Sequence, residues 1–485
     1  MQRAVAVIGG GMSGLSACYH LSRSPRISQV VLLEASGQLG GWLRSTRRED
    51  GAIFEHGPRG VRPAGAVGRS TLDMVSELGL EAEVLPVLAS HEASKNRFLY
   101  VGGQLHRMPS GVGGVVRTVP PFSRPLAVSI LKELLTRRGD QEDESIHGFV
   151  ERRLGKELAD IVMDCLCRGV FAGNCRDYGS VVLGLIRGGE RDRKPRSGLA
   201  RRAQAERWTQ WSLRRGMQAL PEALEDRLKA DQRVAVHAQA PVQGLSRPAG
   251  GSGWLIKLQD GTIKADHVIS AVPAKVLASV LPPADSPLSE ELRGIQSVTV
   301  AVVNLEYEGS VLPFTGFGHL VPSFENGALL GIVYDSVAFP QHNRRGDPST
   351  RLTVMMGGAW FSEAFGSPEE VTGQQLLQMA TQAVKGHLGV SAEPVWSHVA
   401  LQKTESVAVI LPRRTAVIIP LPQARSAGTD CIPQYTLGHW KRLEKIRHYI
   451  SHHSLPLSLV GASFDGVSVN DVIRSGQMAA ERIVG

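Results

Sequence analysis

The residues best suited to chemistry lie near the start of the chain, where glycines follow an apolar run. Residues 4–8 are apolar, residues 9–14 read Gly-Gly-Gly-Met-Ser-Gly, and a second apolar run over 30–33 ends at Glu34. Glycines at this spacing allow a tight turn, close approach of the backbone to a pyrophosphate and close helix–sheet packing, and the acid can accept hydrogen bonds from a ribose. The spacing therefore predicts a strand–turn–helix–strand unit that binds a dinucleotide.

A second pair of glycines narrows the choice of dinucleotide. Gly40-Gly41-Trp42 follows Glu34 after a short loop. This pair resembles the signature of the flavin amine oxidase superfamily, in which a Gly-Gly-Arg segment passes the FAD. Trp42 stands where most members have arginine. That departure, together with residues 54–63, is similar to one branch of the superfamily, the protoporphyrinogen oxidase family.

Five further motifs carry the resemblance along most of the chain. In order, they are residues 96–103, 167–174, 316–322, 431–440 and 461–471. Together they resemble an animal-type member of the protoporphyrinogen oxidase family. The resemblance implies an FAD-dependent enzyme that oxidises protoporphyrinogen IX to protoporphyrin IX, with O2 as the acceptor and H2O2 as the second product, at the penultimate step of heme biosynthesis.

The same resemblance implies an α/β fold in three parts. An FAD-binding Rossmann-like domain, of the two-dinucleotide-binding kind, is expected to combine residues 1–85, 211–296 and 431–485. A helical, membrane-facing domain would cover 86–210, and a mixed α+β substrate domain would cover 297–430. The alternation of apolar and polar residues that begins at the start of the last range predicts strands there.

Apolar runs predict where the chain returns to the flavin sheet. Residues 233–237, 254–258 and 265–273 are expected to be strands of that sheet, and residues 457–460 are expected to be its last strand.

The last helix and the glycine segments are expected to hold the cofactor. Asn470 or Asp471 is predicted to cap this helix, and in the superfamily its N-terminus points at the pyrimidine edge of the flavin, where the helix dipole would stabilise negative charge. The residues that the resemblance assigns to cofactor binding are Gly9, Gly10, Gly11, Met12, Ser13, Gly14, Glu34, Ala35, Trp42, Gly57, Pro58, Arg59, Gly60, Val242, Ala462, Val467, Ser468 and Val469.

The resemblance also implies a pocket for an apolar tetrapyrrole with two propionates. Arg97 would pair with one propionate, because a guanidinium fork matches a carboxylate, and Gly318 would allow close approach of the backbone. The apolar walls would be Phe98, Leu166, Phe317, Leu320, Val333, Met355 and Ile432. Since the flavin would carry the electron chemistry, no side chain is assigned as catalytic. His319 and His439 are expected to be structural, and no metal site is expected.

Composition limits the partners. Lys and Arg number 54 against 46 Asp and Glu, which gives a net charge of +8 and a pI near 9.3. No nucleic-acid motif accompanies this excess, so it favours a solvated basic surface, and an anionic membrane or a carboxylate substrate would also fit. The five cysteines contain no C-x-x-C pair and are expected to be buried thiols in a reduced protein.

The sequence predicts a peripheral or monotopic membrane association. No stretch reaches the ~18 apolar residues of a spanning helix. Arg3, Arg23 and Arg26 precede the first acid and resemble a mitochondrial transit peptide, but cleavage there would remove the glycine turn, so any targeting information is expected to stay in the protein. The resemblance implies a homodimer on the intermembrane-space side of the mitochondrial inner membrane, with a tetrapyrrole and molecular oxygen as partners and no nucleic acid.

Two segments depart from the family pattern. The junction near 175–180 lacks a short stretch that relatives have, and residues 404–430 interpose a basic, proline-broken run. These departures leave open an FAD-binding isoform with impaired catalysis, retained as a partner or decoy, because the junction lies close to Leu166. A flavin amine or polyamine oxidase is the other alternative. It would need an aromatic cage and an acid-lined entrance, and neither is clear in the sequence.

Overall fold

A computed structural model describes the protein over residues 3–109, 111–136, 143–179, 197–249, 252–401, 407–410, 417–418 and 431–485. The junction beyond Gly179 and most of the 404–430 segment, where the sequence departs from the family pattern, lie outside the described residues.

The described strands form a parallel sheet of five strands, a sheet of ten strands and three small sheets. Their bounds are β1 (Arg3–Ile8), β2 (Ile27–Leu33), β3 (Ser45–Arg47), β4 (Ile53–Glu55), β5 (Val84–Leu88), β6 (Phe98–Val101), β7 (Gln104–Arg107), β8 (Trp208–Leu213), β9 (Val234–His237), β10 (Gly244–Ser246), β11 (Trp254–Leu258), β12 (Gly261–Ala265), β13 (His267–Ser270), β14 (Ser297–Glu308), β15 (Gly318–Leu320), β16 (Leu329–Val333), β17 (Ser349–Gly358), β18 (Trp396–Leu401), β19 (Val407–Ile410), β20 (Val417–Ile418), β21 (Ile432–Pro433) and β22 (Leu457–Leu459).

The described helices connect and cover these sheets. Their bounds are α1 (Met12–Ser22), α2 (Gly65–Glu77), α3 (Glu92–Lys95), α4 (Gly111–Val116), α5 (Leu126–Leu135), α6 (Ile146–Leu154), α7 (Asp164–Phe171), α8 (Gly198–Ala205), α9 (Ala219–Lys229), α10 (Ala274–Val280), α11 (Ser286–Arg293), α12 (Asp335–Ala338), α13 (Phe361–Phe365), α14 (Gly373–Leu388), α15 (His439–His452) and α16 (Val469–Val484), with 3-10 turns at Glu81–Glu83, Pro283–Asp285 and Pro340–His342 and a π-helical turn at Leu158–Met163.

The five-stranded sheet is parallel throughout, in the order β22-β13-β1-β2-β9. Its central strands align Val5 with Val30 and Ile8 with Leu33. Helices α1 and α16 cover one face of this sheet. Helices α10 and α11 pack on the opposite face, in a separate hydrophobic cluster. Strands covered on both faces are apolar nearly throughout, as β1 is. The predicted strand–turn–helix–strand unit is confirmed.

Residues 254–258 do not join that sheet. They form β11, the middle strand of an antiparallel sheet with β10 and β12. The prediction that they return to the flavin sheet is wrong because the tight turn after Leu258 brings the chain back antiparallel, and such a connection is too short for a parallel crossover. β9, β13 and β22 do join the flavin sheet, as predicted.

The ten-stranded sheet is built around β14, which lies between β17 and β18 and aligns Val303 with Val354 and Val399. Successive side chains of a strand face opposite sides of the sheet. The odd-numbered side chains from Ala301 to Tyr307 are buried in a core shared with α14. The even-numbered side chains of β14 therefore face away from this core.

Two segments belong to the ten-stranded sheet although the sequence assigned them elsewhere. β6 and β7 lie in the range predicted to be helical, yet β6 pairs in parallel with β15. β21 lies in the range given to the FAD-binding domain, yet it pairs with the start of β14. Both assignments are corrected here because the partner strands are distant in sequence, and local patterns carry no information about such pairings.

The helical part of the chain leads into α7 through the π-helical turn. Asp160 in this turn lies 2.7 Å from His147 Nε2 and accepts a hydrogen bond from Arg176 at 2.8 Å. Tyr178 is buried and its backbone bridges Thr436. Arg176 and Tyr178, which lie within the departing junction, are thus held by contacts with other described residues. Across the ranges described here, no helix has both the length and the apolar composition that a bilayer crossing needs.

Four of the cysteines are buried, as predicted, and Cys431 is half-buried. Cys165 and Cys167 pack in two different hydrophobic clusters, so they face different sides of α7. Burial raises the pKa of both thiols. They therefore stay protonated near neutral pH and act as small apolar groups.

Two N-terminal arginines hold the end of the last helix. Arg3 donates to Ile483 O at 3.0 Å, and Arg26 donates to the carbonyls of Val484 and Gly485. Cations at a helix C-terminus stabilise its unpaired carbonyl groups and its dipole. The basic residues that resemble a targeting signal therefore also fasten α16 to the parallel sheet.

The contact between α1 and α16 depends on Gly476. A Cβ at this position would lie 2.2 Å from Ser13 O, so Gly476→Ala must push the two helices apart. We expect the free energy of unfolding to fall by about 1–3 kcal/mol, measured by thermal unfolding of the FAD-loaded protein.

Gly386→Ala provides the matched control. Gly386 lies inside α14, where an added Cβ meets nothing within 4 Å. Alanine there should leave stability unchanged or raise it by up to about 1 kcal/mol. Equal melting temperatures for the two variants would contradict the role given to Gly476.

Candidate active site

The first glycine segment forms a cradle at the start of α1. Gly9 has φ +102°, and a Cβ at Gly14 would lie 1.9 Å from Gly9 O, so both positions need glycine. Gly11 is the N-cap of α1 and supplies no side-chain hydrogen bond, and a Cβ there would face open space. The first N–H groups of α1 therefore remain available to a pyrophosphate, which fits the predicted dinucleotide.

The second glycine segment lies against the first. Gly40 N donates to Gly10 O at 2.8 Å, and Gly40 forms a parallel bridge with Gly11. A Cβ on Gly41, at φ +57°, would lie 3.2 Å from the Cα atom of Gly11. Two motifs that are separate in the sequence thus form one backbone cradle.

Glu34 is held at the end of β2 beside this cradle. Its carboxylate accepts hydrogen bonds from Gly10 N at 2.7 Å and from Ser36 N at 2.8 Å. A carboxylate has about four acceptor sites, so room remains for ribose hydroxyls. The N–H group of Ala240 donates to Glu34 O at 2.8 Å, and Val242 follows two residues later on the same connection.

The loop before α16 closes the same end of the parallel sheet. Gly461 N donates to Ser475 Oγ at 3.1 Å, and a Cβ on Gly461 would lie 3.2 Å from Ser13 Oγ. Ala462 therefore follows directly beside the start of α1. Met12 and Ser13 are themselves buried, whereas Ala35 is exposed at the edge.

The cap of α16 differs from the prediction. Ser468 is the N-cap, and it forms a capping box with Asp471, so the choice of Asn470 or Asp471 was wrong. A serine with an acid three residues later satisfies two N–H groups reciprocally, which a cap at either later position would not. Asn470 instead donates to Arg62 O at 2.8 Å and ties the helix to the segment after Gly60.

Trp42 and Gly57 meet behind the cradle. A Cβ on Gly57 would lie 2.4 Å from Trp42 O. The Trp42 side chain is 45% exposed. Arg59, two residues after Gly57, pairs with Asp335 at 3.1 Å, and Thr353 donates to the same carboxylate at 2.6 Å. The guanidinium that the sequence assigned to the flavin is therefore also the link to the ten-stranded sheet.

The hairpin β3–β4 lies on the polar half of the even-numbered face of β14. Asn304 Nδ2 donates to Glu55 O at 3.2 Å, and Arg48 pairs with Glu306. Arg351, which is level with Glu306 in β17, donates to Ile53 O at 2.8 Å. These contacts join the hairpin β3–β4 of the predicted FAD-binding domain to the ten-stranded sheet.

Aromatic stacking strengthens the same contact. Phe54 stacks on Trp396 with ring centroids 4.1 Å apart, and His56 stacks on His398 at 4.3 Å. The sequence reasoning missed this interface. A usable signal existed in Asn304 and the residue two places later, which are polar at alternate positions of an otherwise apolar strand.

Burial changes the acid–base properties of this interface. Burial raises the pKa of Glu55 to about 7, although hydrogen bonds from Met217 N and Ser45 Oγ act in the opposite direction. Burial also lowers the pKa of Arg351 to about 10. Arg351 is still cationic at neutral pH, whereas Glu55 is close to its titration midpoint.

The even-numbered face of β14 is apolar in its first half, before Asn304. It consists of the buried or half-buried side chains Val298, Val300, Val302, Leu330, Met355 and Ala400, with Ala172, Cys431 and Ile432 packed beside them. Met355 and Ile432, two of the predicted substrate walls, are brought together here.

Leu320 and Val333 lie next to this surface. The Leu320 side chain packs against the Cα atoms of Gly169 and Gly331. A Cβ added at Gly169 or Gly331 would lie 2.8 or 3.0 Å from Leu320 Cδ2. Val333 pairs with Gly318 across β15 and β16. A Cβ on Gly318 would lie 2.3 Å from Ile332 O, so this glycine allows the close approach of β15 and β16. Its contact with substrate stays a prediction.

Leu166 lies on α7 and belongs to none of the hydrophobic clusters, although it is half-buried. Its role as a wall of the substrate pocket stays a prediction.

Phe98 and Phe317 lie apart from the other predicted walls. Phe98 is level with His319 and its ring lies 4.9 Å from that of Phe314, on the face opposite to Leu99. Phe317 packs with the cluster of β5 and α12. The strand alternation explains the placement of Phe98, because its neighbour Leu99 is level with Leu320. The contact of Phe98 and Phe317 with substrate stays a prediction.

Arg97 is exposed and lies one residue before β6. Within the described residues its side chain has no hydrogen bond or ion pair of its own. Burial and the nearby Arg62 cation lower its pKa. An arginine that faces another cation and lacks a carboxylate partner favours an anionic ligand.

The two histidines expected to be structural lie away from the apolar surface. His319 is buried on the α14 side, 2.8 Å from Tyr334 Oη and 2.9 Å from His387 Nδ1. Burial and His387 lower its pKa to about 3, so it is neutral. His439 stacks on Tyr435 with ring centroids 4.4 Å apart.

Comparison with known proteins identifies the family. The family model for flavin-containing amine oxidoreductases matches residues 12–484. A protoporphyrinogen oxidase of Macaca fascicularis is 49% identical over 501 aligned positions, covering 100% of this chain and 99% of the relative, and that of Homo sapiens is 48% identical with the same coverage. The chain belongs to the protoporphyrinogen oxidase family. A dinucleotide fold in a flavin-containing family makes the cofactor FAD.

Solved structures agree on the fold. A protein of Exiguobacterium sp. 255-15 assigned as a protoporphyrinogen oxidase has a TM-score of 0.76 at 21% identity, covering 100% of this chain and 99% of its own. A putrescine oxidase has a TM-score of 0.63 at 16% identity, covering 100% and 99%. At these identities the likeness shows the fold alone. The protein is thus an oxidoreductase with the flavin amine oxidase fold.

The pKa of Glu55 yields a pH test. The folded state holds a proton on Glu55 up to about pH 7, whereas the unfolded chain releases it near 4.5. The contribution of Glu55 to stability is therefore present below that lower pH and is lost as the pH rises through 7. Relative to wild type, Glu55→Gln should gain up to about 3 kcal/mol of stability between pH 5 and pH 8, measured by denaturant unfolding.

The control replaces an exposed acid. Glu290 on α11 is exposed, so Glu290→Gln removes one surface charge without touching the interface. A constant difference between Glu55→Gln and wild type across this pH range would show that the burial of Glu55 is not linked to its protonation.

Proposed function

We propose that the protein oxidises protoporphyrinogen IX to protoporphyrin IX in heme biosynthesis, with FAD as the group that takes the electrons, O2 as the final acceptor and H2O2 as the second product. The observation that carries this proposal is 49% identity along the whole chain to a mammalian protoporphyrinogen oxidase. The apolar half of the even-numbered face of β14 agrees with an apolar macrocycle as substrate.

Bound FAD supplies the acceptor for a hydride from the macrocycle, which is redox chemistry that no side chain offers. The residues of this chain hold and orient the two molecules and exclude water. Val300, Val302 and Met355 would cover one face of the macrocycle, and Ile432 and Leu166 would limit its edges. A fixed orientation raises the rate because the reacting groups meet without a further search.

Arg97 gives the substrate a direction. A tetrapyrrole with two propionates has one polar side, and a guanidinium that has no hydrogen-bond partner among the described residues can bind a carboxylate at two points. We propose that this pairing holds the propionate edge at the solvent side and leaves the ring on the apolar surface.

The apolar surface disfavours a polyamine as the substrate. A polyamine carries several ammonium groups that need carboxylates or aromatic faces, whereas the surface around Met355 is formed by aliphatic side chains. The impaired isoform is the other alternative. The alignment with the mammalian relative has 501 positions against 485 residues, which agrees with a stretch missing from this chain.

One assay separates these functions. Under anaerobic conditions the absorbance of the bound flavin should bleach on addition of protoporphyrinogen IX and should not change with polyamine. Arg97→Leu should raise KM by about 10- to 100-fold with little change in kcat, because a charged hydrogen bond to the bound substrate is lost.

Arg107→Leu is the control, since Arg107 is an exposed arginine on the neighbouring strand β7. An equal rise of KM in both variants would reduce the effect to general surface charge. Bleaching by polyamine alone would replace the proposed function, and a flavin that stays oxidised with either substrate would favour the impaired isoform.

We also propose that the protein is a homodimer attached to the mitochondrial inner membrane, on its intermembrane-space side. Support for the attachment comes from apolar side chains exposed on α4 and α5, namely Val116 at 56%, Val128 at 45%, Ile130 at 50% and Leu131 at 61%. Exposed arginines at 117 and 124 flank them. An apolar patch bordered by cations suits the interface of an anionic bilayer.

A vesicle assay tests the attachment. We expect Val128→Asp combined with Leu131→Asp to reduce binding to vesicles of phosphatidylcholine and cardiolipin by at least about tenfold, because two exposed apolar side chains that would enter the bilayer interface are replaced by anions. Phe324→Asp is the control, since Phe324 is 58% exposed outside these helices. Equal losses in both proteins would remove α5 from the proposal, and sedimentation of the wild type tests the dimer.

A further inference from the structure

The hydroxyl group of Tyr435 joins two ends of the loop before α16. It donates to Ala462 O and accepts a hydrogen bond from Gly466 N at 2.8 Å. Tyr435 is 1% exposed, so water cannot readily replace either bond. One side chain thus satisfies a donor and an acceptor across residues 462–466, which fixes the shape of the loop predicted to contact FAD.

The same residue belongs to the segment that carries a wall of the substrate pocket. Ile432 lies three residues earlier, in β21, beside the apolar half of β14. Gln434, between them, donates to Phe171 O at 3.1 Å and to Ile432 O at 3.0 Å. The segment is therefore held by α7 as well as by β14.

The position of Tyr435 is fixed from a third side. Gly179 N donates to Tyr435 O at 3.2 Å, and Leu437 N donates to Asp177 O at 2.9 Å. The ring stacks on His439, with an interplanar angle of 14°. Because the backbone and the ring are both held, the hydroxyl has little freedom to follow the loop if the loop moves.

We propose that Tyr435 is a positioning residue whose hydroxyl couples the flavin loop to the wall of the substrate pocket. It sets where Ala462 and Val467 stand relative to Ile432, and hence how the cofactor faces the substrate. The substrate half of this inference rests on the proposed function, and the cofactor half rests only on FAD binding.

Tyr435→Phe removes the hydroxyl and keeps the ring. Ala462 O and Gly466 N then lose their buried partner. We expect the dissociation constant of FAD to rise about tenfold in reconstitution of the apoprotein, and the amide of Gly466 to exchange its hydrogen faster. At saturating FAD, kcat should fall about tenfold while KM stays within about twofold, because substrate contacts are unchanged.

Tyr178→Phe is a closely matched control. Tyr178 is a buried tyrosine of the same hydrophobic cluster, and its hydroxyl lies beside the backbone of Tyr435 but makes no described hydrogen bond to residues 462–466. Its removal should leave FAD affinity, exchange at Gly466 and kcat unchanged. Both variants delete one oxygen from one cluster, so a general effect on folding would act on both.

The readouts separate the coupling role of Tyr435 from the proposed oxidation of protoporphyrinogen. Equal FAD affinity and equal exchange at Gly466 in Tyr435→Phe and wild type would overturn the coupling, whatever the turnover. A tenfold weaker FAD affinity with an unchanged kcat at saturating FAD would also overturn it, since the hydroxyl would then hold the loop without setting how the cofactor faces the substrate. If wild type fails to oxidise protoporphyrinogen but the variant loses FAD affinity, the proposed function fails and the loop-holding role of the hydroxyl stands.

Discussion

The even-numbered face of β14 imposes two different requirements along one strand. Val300 and Val302 need an apolar cover, whereas Asn304 and Glu306, both fully buried, need hydrogen-bonding partners. A buried polar group without a partner costs more than a typical hydrogen bond returns. The hairpin β3–β4 and the residues that connect its strands meet the second requirement at Asn304 Nδ2 and at one carboxylate oxygen of Glu306. The end of α7 and the segment of β21 cover part of the first, through Ala172, Cys431 and Ile432, so the two halves of one strand are matched by two different parts of the chain.

The charged contacts of this interface specify an arrangement more than they add stability. Removing two charges from water costs several kcal/mol per ion, and the attraction between them often only balances that cost. Arg351 nevertheless needs acceptors at fixed positions, since it donates to the carbonyl oxygens of Ile53 and Phe339 and to Asn343 Oδ1. A hairpin shifted by one residue would leave these donors unmatched. The network thus selects one docking position of the FAD-binding domain on the sheet.

The parts of the fold that the sequence predicted are those governed by local spacing. The spacing of Gly9, Gly11 and Gly14 predicts the turn, because the backbone contacts that require glycine there lie within a few residues of one another. Tyr435 could not be found in this way, because its partners at 462 and 466 are visible only once β21 has paired with β14. Phe98 shows the same limit: the motif places it near the pocket, but only the pairing with β15 decides which of its neighbours faces α7.

The position of Leu166 bears on whether the departing junction impairs the site. Two residues before it, Asp164 accepts a hydrogen bond from Ser323 N at 2.6 Å, and two residues after it, Arg168 donates to the carbonyls of Asn326 and Leu329. Both anchors lie on the substrate sheet side and precede the junction in sequence. Residues 174–179 are in turn fastened to the segment of Tyr435. Since α7 is anchored to residues 323–329 on both sides of Leu166, the described contacts already fix the backbone that carries this side chain, and the same helix is joined through 174–179 to the segment that holds the cofactor loop.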